Sequence, residues 1–220
     1  MGFKQDLFTQ FARIGQALSS GKRLELVEFL AQGERSVDAL AKAAGLSMAN
    51  ASHHLQQLRR SGLVASRKEG LNVYYQLSGD DVVELLVALR RVGERHLAEV
   101  DRLVNAFLTV KDGLEPISRQ ELLDRARRGA VTVLDVRPQE EYAAGHLPGA
   151  VNVPLAEIEK HLDELDPKQE VIAYCRGPHC ILAFDAVARL RHRGLSARRL
   201  QDGYPEWKLA GLPVETASQL

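Results

Sequence analysis

The sequence predicts two domains of different class: a mainly α domain with a β-hairpin, then an α/β domain with a parallel sheet. Three observations carry this. From Phe3 to Phe107 apolar residues recur at helical spacing, and one short β-prone hairpin interrupts them. From Val131 onward, short apolar strand-like runs alternate with helical stretches, the rhythm of a parallel sheet covered by helices. Between the two patterns, Thr109 to Pro116 contains Lys111-Asp112-Gly113 and a proline, and reads as a linker. The expected domains are residues 1–110 and 117–220, joined by a linker at 111–116.

In the first domain, Phe3, Leu7, Phe11, Ile14 and Leu18 mark a first helix, and Gly21 separates it from a second over Leu24 to Leu30. Ser36 is placed to cap a third helix, Val37 to Ala44, which stops at Gly45. Ser47 is placed to cap a fourth, running to Arg60 with Gly62 just beyond. Helix, short Gly-containing turn, helix is the helix-turn-helix arrangement. Ala51, Leu55 and Leu58 share the inward face of the fourth helix. Met48, Asn50, Ser52, His53, Gln56 and Gln57 are left largely outward, and their polar groups suit base edges and phosphates. His53 is the DNA-facing candidate of the histidine pair, and His54 the packing residue. Leu63 to Ser66 and Asn72 to Leu77 form a hairpin around Arg67-Lys68-Glu69-Gly70, a basic tip that reads as a wing with Arg67 and Lys68 on phosphates. Asp80 to Leu108 predicts one long helix, interrupted at Gly93. Its apolar stripe is longer than a small domain can cover, which points to a partner helix.

In the second domain, Ser118 and Glu121 form a capping box for a helix ending at Gly129. Val131 to Leu134 is a buried-strand run, Leu155 to Leu165 is helical, and Val171 to Tyr174 is a second buried strand. A helix follows from Ile181 to Arg193, stopped by Gly194. The loop Cys175-Arg176-Gly177-Pro178-His179-Cys180 lies between that strand and helix and holds the only two cysteines. A thiol at a strand's carboxyl end, among backbone N–H groups and before a helix start, is favoured as thiolate, the reactive form. Arg176 adds a positive charge beside it. Cys175 is the expected nucleophile. Cys180 has two readings, a partner that resolves a modified Cys175 or a structural residue at the helix start.

The loop is framed by Asp135-Val136-Arg137, Gly145-His146-Leu147-Pro148-Gly149-Ala150 and Asp202-Gly203-Tyr204-Pro205-Glu206-Trp207. In order and spacing, residues 115 to 216 resemble a single-domain rhodanese. That resemblance implies a site where Cys175 carries sulfane sulfur as a persulfide, within an active loop of Arg176, Gly177, Pro178, His179 and Cys180. Asp135 and Arg137 would brace the loop, and Trp207 belongs to the core. Closing the loop with Cys180 departs from the common rhodanese pattern and implies a dithiol role. The first domain, through Leu46-Ser47, Ser52-His53-His54-Leu55, Leu58, Gly62-Leu63-Val64 and Arg67…Gly70…Tyr74-Tyr75, resembles ArsR-type winged helix-turn-helix regulators over residues 5 to 105. This implies a homodimer on an inverted repeat of double-stranded DNA, with Ser47, Asn50, Ser52, His53, Gln56, Arg67 and Lys68 at the DNA. The fold expected is therefore a winged helix-turn-helix followed by a rhodanese-like α/β sheet.

The 220 residues are 45% hydrophobic and 26% charged, which suits folded domains. Residues 1–79 carry 10 Lys and Arg against 6 Asp and Glu, while 111–220 carry 15 against 17, so the basic end faces an anionic partner. Two cysteines in one loop do not make a secreted disulfide framework. The polar start, Met1 to Asp6, lacks a signal core and the myristoylation pattern, and no apolar run approaches membrane-spanning length, so cytoplasmic residence without membrane contact is expected. No cofactor and no metal are expected. A phosphatase would need an arginine six positions after Cys175, where Ile181 stands. Three functions remain open: a sulfur- or redox-responsive regulator supplied by thiosulfate or a persulfide; a sulfurtransferase with an autoregulatory DNA-binding domain; and an arsenite- or metal-responsive repressor using Cys175 and Cys180.

Overall fold

The computed structural model describes residues 2–109 and 116–217. The chain divides into two compact units, Met1–Leu86 and Val87–Leu220. Of the expected 111–116 linker, all but Pro116 lies outside the described residues.

The first unit holds α1 (Phe3–Leu18), α2 (Gly21–Leu30), β1 (Arg35–Ser36), α3 (Val37–Ala43), α4 (Met48–Arg60), β2 (Val64–Glu69), β3 (Asn72–Leu77) and the start of α5 (Asp80–His96). Both expected caps are made. Ser36 Oγ accepts the Ala39 N–H at 3.2 Å, and Ser47 Oγ accepts the Asn50 N–H at 3.3 Å, satisfying donors that a helix start leaves open. Gly45, at φ +61°, reverses the chain between α3 and α4, a conformation that side chains resist. Leu26, Leu40, Leu55 and Leu58 form the fully buried centre of the helix-turn-helix core.

The hairpin differs in detail from expectation. Glu69 pairs with Asn72, so the tip is Gly70 and Leu71, while Arg67 and Lys68 lie in the ladder opposite Tyr74 and Val73. Gly70, at φ +58°, is the residue able to turn, and the strand runs on until it is reached. The sheet gains β1, which pairs Arg35 and Ser36 with Tyr75 and Tyr74. Two residues are too few for periodicity to reveal a strand. Phe3, Phe8 and Phe11 stand exposed along α1.

The single helix expected over Asp80 to Leu108 is broken. α5 ends at His96, Leu97 is extended (φ −112°, ψ 98°), and α6 (Ala98–Val104) follows, continued by a widened turn at Asn105–Thr109. The Leu97 N–H still reaches the Gly93 carbonyl at 2.9 Å. Nothing in the local residue types explains why the break falls at Leu97. Leu85, Leu89 and Val92 are exposed on α5.

The second unit contains α7 (Arg119–Arg127), β4 (Val131–Asp135), α8 (Gln139–Ala144), β5 (Val151–Asn152), α9 (Ile158–His161), β6 (Glu170–Tyr174), α10 (Ile181–His192), β7 (Ala197–Arg199) and α11 (Tyr204–Leu209). The four strands are all parallel, in the order β5-β4-β6-β7. Ser118 Oγ caps α7 through the Glu121 N–H at 3.2 Å. The helix expected over Leu155 to Leu165 is instead α9 between two tightened turns, Leu155–Glu157 and Leu162–Glu164. β6 is buried on both faces. Val171, Ala173 and Cys175 join Ala183, Val187 and Leu190 of α10, while Ile172 and Tyr174 join Leu122, Tyr204 and Trp207 on the other side. This alternation decides which way the first cysteine points.

Candidate functional site

β6 delivers Cys175 at its carboxyl end, where open parallel sheets place their sites. Cys175 is 1% exposed, and its carbonyl accepts the Tyr204 N–H at 3.0 Å. The loop then folds back on itself, with the Cys180 N–H donating to the Gly177 carbonyl at 3.1 Å. Cys180 is the N-cap residue of α10 and only partly buried. The two cysteines are joined as a disulfide with Cα atoms 6.2 Å apart, inside the ordinary span of such bridges. Gly177 is buried, Arg176 and Pro178 are half-buried, and His179 is exposed. The structure thus brings all six expected loop residues into one turn.

Arg176, the residue after Cys175, is paired. Its Nε and Nη2 grip both oxygens of Glu141 at 2.7–3.0 Å, and the Glu141 side chain is fully buried on α8. The fork fixes the loop's first residue to α8 and sets a carboxylate against its charge. Sequence reasoning missed Glu141. An acidic residue after an Asp-x-Arg motif was its only signal.

Deeper support comes from Asp135 and Arg137, both 0% exposed. Arg137 Nη2 meets Asp135 Oδ2 at 2.6 Å and donates to the Gly145 carbonyl at 2.7 Å. Burial opposes the Arg137 charge, and Asp135 outweighs it and raises the guanidinium's pKa. The Tyr174 hydroxyl donates to Asp135 Oδ2, and burial first, then Asp135, holds that phenol protonated well above its ordinary range. The pair therefore locks the residue immediately before Cys175. The support thus reaches the strand residue before the loop, rather than the loop itself.

The floor of the loop is the start of α11. At Gly203 an added Cβ would fall within 2.5 Å of the Gly177 Cα and closer still to Gly177 N and Arg176 C. Only glycine permits this backbone-on-backbone approach. Glu206 Oε2 accepts the Gly203 N–H at 3.1 Å, and burial pushes the Glu206 carboxyl above its ordinary value. Trp207 is core, as expected, with Nε1 donating to the Pro213 carbonyl at 2.8 Å. Among the described residues, no group of three or more His, Cys, Asp or Glu is arranged to hold a metal ion.

In the first unit, α4 presents Asn50, His53 and Gln56 exposed, with Ser47 exposed at its cap and Ser52 half-buried. Gln56 Nε2 donates to Ser52 Oγ at 3.4 Å, so those two side chains form one polar ridge. Gln57, expected outward, is instead held by Arg23, whose Nη1 donates to Gln57 Oε1 at 2.6 Å. His54 is half-buried, and burial first, then Arg23 and His53, lowers its pKa, in keeping with a packing role. On the wing, Arg67 is clamped by Glu34 (Nη2–Oε2, 2.6 Å) and by Glu69, and lies over the Tyr74 ring. Lys68 is exposed beside it.

A winged helix-turn-helix unit followed by a parallel-sheet unit with a cysteine loop defines a two-domain chain of the DNA-binding-regulator class with an appended α/β domain. Comparison with known proteins gives the same division. The helix-turn-helix domain family matches residues 18–67, and the rhodanese-like domain family matches residues 118–210. The HTH-type transcriptional regulator Rv0324 of Mycobacterium tuberculosis is 47% identical over 212 residues, covering 96% of this chain and 93% of that protein. The chain belongs to this family of transcriptional regulators, which join an ArsR-type helix-turn-helix domain to a rhodanese-like domain. The putative sulfur carrier protein YrkF of Bacillus subtilis is 34% identical over 92 residues, 42% of this chain and 45% of that protein. A solution structure of the homodimeric winged helix-turn-helix DNA-binding domain of Mb0332 from Mycobacterium bovis, described as a possible ArsR-family regulator, is 43% identical. It covers 44% of this chain and 90% of that one, with a TM-score of 0.42. Among the described residues, no helix is long and apolar enough to cross a membrane.

Proposed function

We propose that this protein is a sulfur-responsive transcriptional regulator of the cytoplasm. As a homodimer it binds an inverted repeat of double-stranded DNA, and its rhodanese-like domain carries sulfane sulfur on Cys175. The observation that carries the sulfur half is the pairing of buried Cys175 with Cys180 across a loop pinned by Glu141 and Gly203. Loading is a thiolate displacement. The Cys175 thiolate attacks the outer sulfur of thiosulfate, forming Cys175–S–S⁻ and releasing sulfite. With a persulfide donor, a thiolate leaves instead. Cys180 then attacks the Cys175 Sγ, an S–S bond forms between the cysteines, and the outer sulfur departs as hydrosulfide. Signal is thereby stored first as a persulfide and then as a bridge.

The DNA half is supported by the polar ridge of Asn50, Ser52, His53 and Gln56 on α4, with Ser47 at its start. Lys68 and Arg67 supply wing charge, and Arg67 must leave Glu34 to reach a phosphate. The exposed apolar residues of α1 and α5 favour a second copy of the chain.

The test is mass spectrometry of the protein after thiosulfate or a small persulfide. Wild type should gain one sulfur on the Cys175 peptide and then lose it as the cysteines join. Cys180→Ser should keep the sulfur, and Cys175→Ser should gain none. A Cys175→Ser protein that still takes up or transfers sulfur contradicts the assignment.

A further inference from the structure

The two ends of the Cys175–Cys180 bridge are unequally placed, which bears on how the bridge is opened. Cys175 is 1% exposed and packs with Leu134, Ala183 and Val187 in the core between sheet and α10. Its backbone is held by Tyr204, and the chain after it by Glu141 and the close approach of Gly203. Cys180 lies at the outer end of the loop, partly exposed, between exposed His179 and exposed Ile181. A thiolate must approach the attacked sulfur from the side opposite the bond that breaks. Cys175 is enclosed in the core, whereas Cys180, packed against the edge of the same core, keeps part of its surface in solvent and is the end a thiol in solution meets.

We infer that a low-molecular-weight thiol opens the bridge by attacking Cys180, so that Cys180 carries the mixed disulfide and Cys175 is the leaving thiolate. The inference rests on the reading of Cys175 and Cys180 as a working dithiol and adds which sulfur the reductant meets and which reductant class fits. The step balances. R–S⁻ bonds to the Cys180 Sγ, the Cys180–Cys175 bond breaks, and its electron pair leaves on Cys175. A second R–S⁻ attacks the outer sulfur of the Cys180 adduct, releasing R–S–S–R and the Cys180 thiolate. The choice of sulfur therefore rests on access, since a nucleophile attacks the sulfur it can reach. Because Cys180 is only partly exposed, a small thiol such as a γ-glutamyl-cysteinyl peptide fits better than a protein dithiol. Cys175 thus regains its sulfur-accepting form one step before Cys180 is free.

The chain makes the test direct, because Arg176 separates the two cysteines. Trypsin yields residues 169–176 with Cys175 and residues 177–189 with Cys180. The full-length protein is bridged with diamide, which needs no sulfur loading, exposed briefly to reduced glutathione, quenched in acid, alkylated with N-ethylmaleimide and digested. At the earliest time points, glutathione should appear on the 177–189 peptide and N-ethylmaleimide on the 169–176 peptide, with about tenfold or greater preference. Glutathione mainly on the 169–176 peptide, equal labelling, or failure of diamide to join the two peptides overturns the inference. Because the bridge is made chemically, a protein that accepts no sulfane sulfur can still pass this test. Loss of the sulfur reading and loss of the inference are therefore told apart.

Discussion

Gly203→Ala isolates the support of the cysteine loop in a single methyl group. The new Cβ would sit within 2.5 Å of the Gly177 Cα and closer to Gly177 N and Arg176 C, all backbone atoms. Ordinary contact for such atoms is about 3.5–4.0 Å, so loop and α11 must separate by roughly 1 Å. Neither side yields easily. The Gly203 N–H is held by Glu206, and the neighbouring Tyr204 N–H is bonded to the Cys175 carbonyl. Overpacking of this kind costs about 1–3 kcal/mol. In a chain of this length, each kcal/mol lowers Tm by about 2–4 °C. The larger effect should fall on chemistry, since a displacement of about 1 Å at a reacting group costs on the order of 100-fold. The assay is thermal unfolding together with the rate of Cys175 alkylation by iodoacetamide in reduced protein at pH 7. Gly15→Ala is the control. It lies in the middle of α1 with open space around the new methyl, so it should leave the alkylation rate unchanged and raise stability by about 0.5–1 kcal/mol. A Gly203→Ala protein with wild-type Tm and wild-type Cys175 reactivity would refute the assignment of α11 as the loop's floor.

Glu206→Gln tests the buried carboxyl. Because burial raises the folded-state pKa above the unfolded one, the native state holds its proton longer, and stability falls as pH rises from the ordinary value near 4.5 through the raised one. Gln keeps an acceptor for Gly203, so urea melts across that range should lose this decline. Glu170 runs oppositely. Burial pushes it up, but Arg198 and Arg125 outweigh this and lower it, so its contribution is present above the ordinary value and lost on acidification. Glu170→Gln should flatten the acid limb. Arg137→Met should destabilise by about 3–5 kcal/mol in the same melts, because it leaves the Asp135 carboxylate buried without its partner. Lys68→Ala should lower DNA affinity for all sequences and reduce the slope of log affinity against log salt by about 0.9, whereas His53→Ala should change sequence preference.

The helices of the first unit and the strands of the second were legible because each has a period or a cap. Ser36 and Ser47 cap where expected, and Ala51, Leu55 and Leu58 are buried on the face their spacing assigns. What escaped depends on contacts distant in sequence. β1 exists because Arg35 and Ser36 meet Tyr75 and Tyr74 across the unit. Arg67 is tied to Glu34, 33 residues away, a partner that the local wing sequence does not reveal. The six loop residues were visible as a group, but Glu141 and Gly203, which hold the loop, lie 35 and 26 residues from the residues they touch. No local pattern records such pairings.

Sulfur on Cys175 is expected to change how the protein holds DNA, through a coupling free energy of about 1–3 kcal/mol that must act in both directions. The most direct measurement is fluorescence anisotropy of one operator duplex at fixed salt with reduced, persulfidated and Cys175→Ser protein. Loading should weaken binding by about 5- to 150-fold, while the Cys175→Ser protein, treated with the same donor, should bind like the reduced form. Equal affinity in all three would contradict it and leave the rhodanese-like domain an independent enzyme.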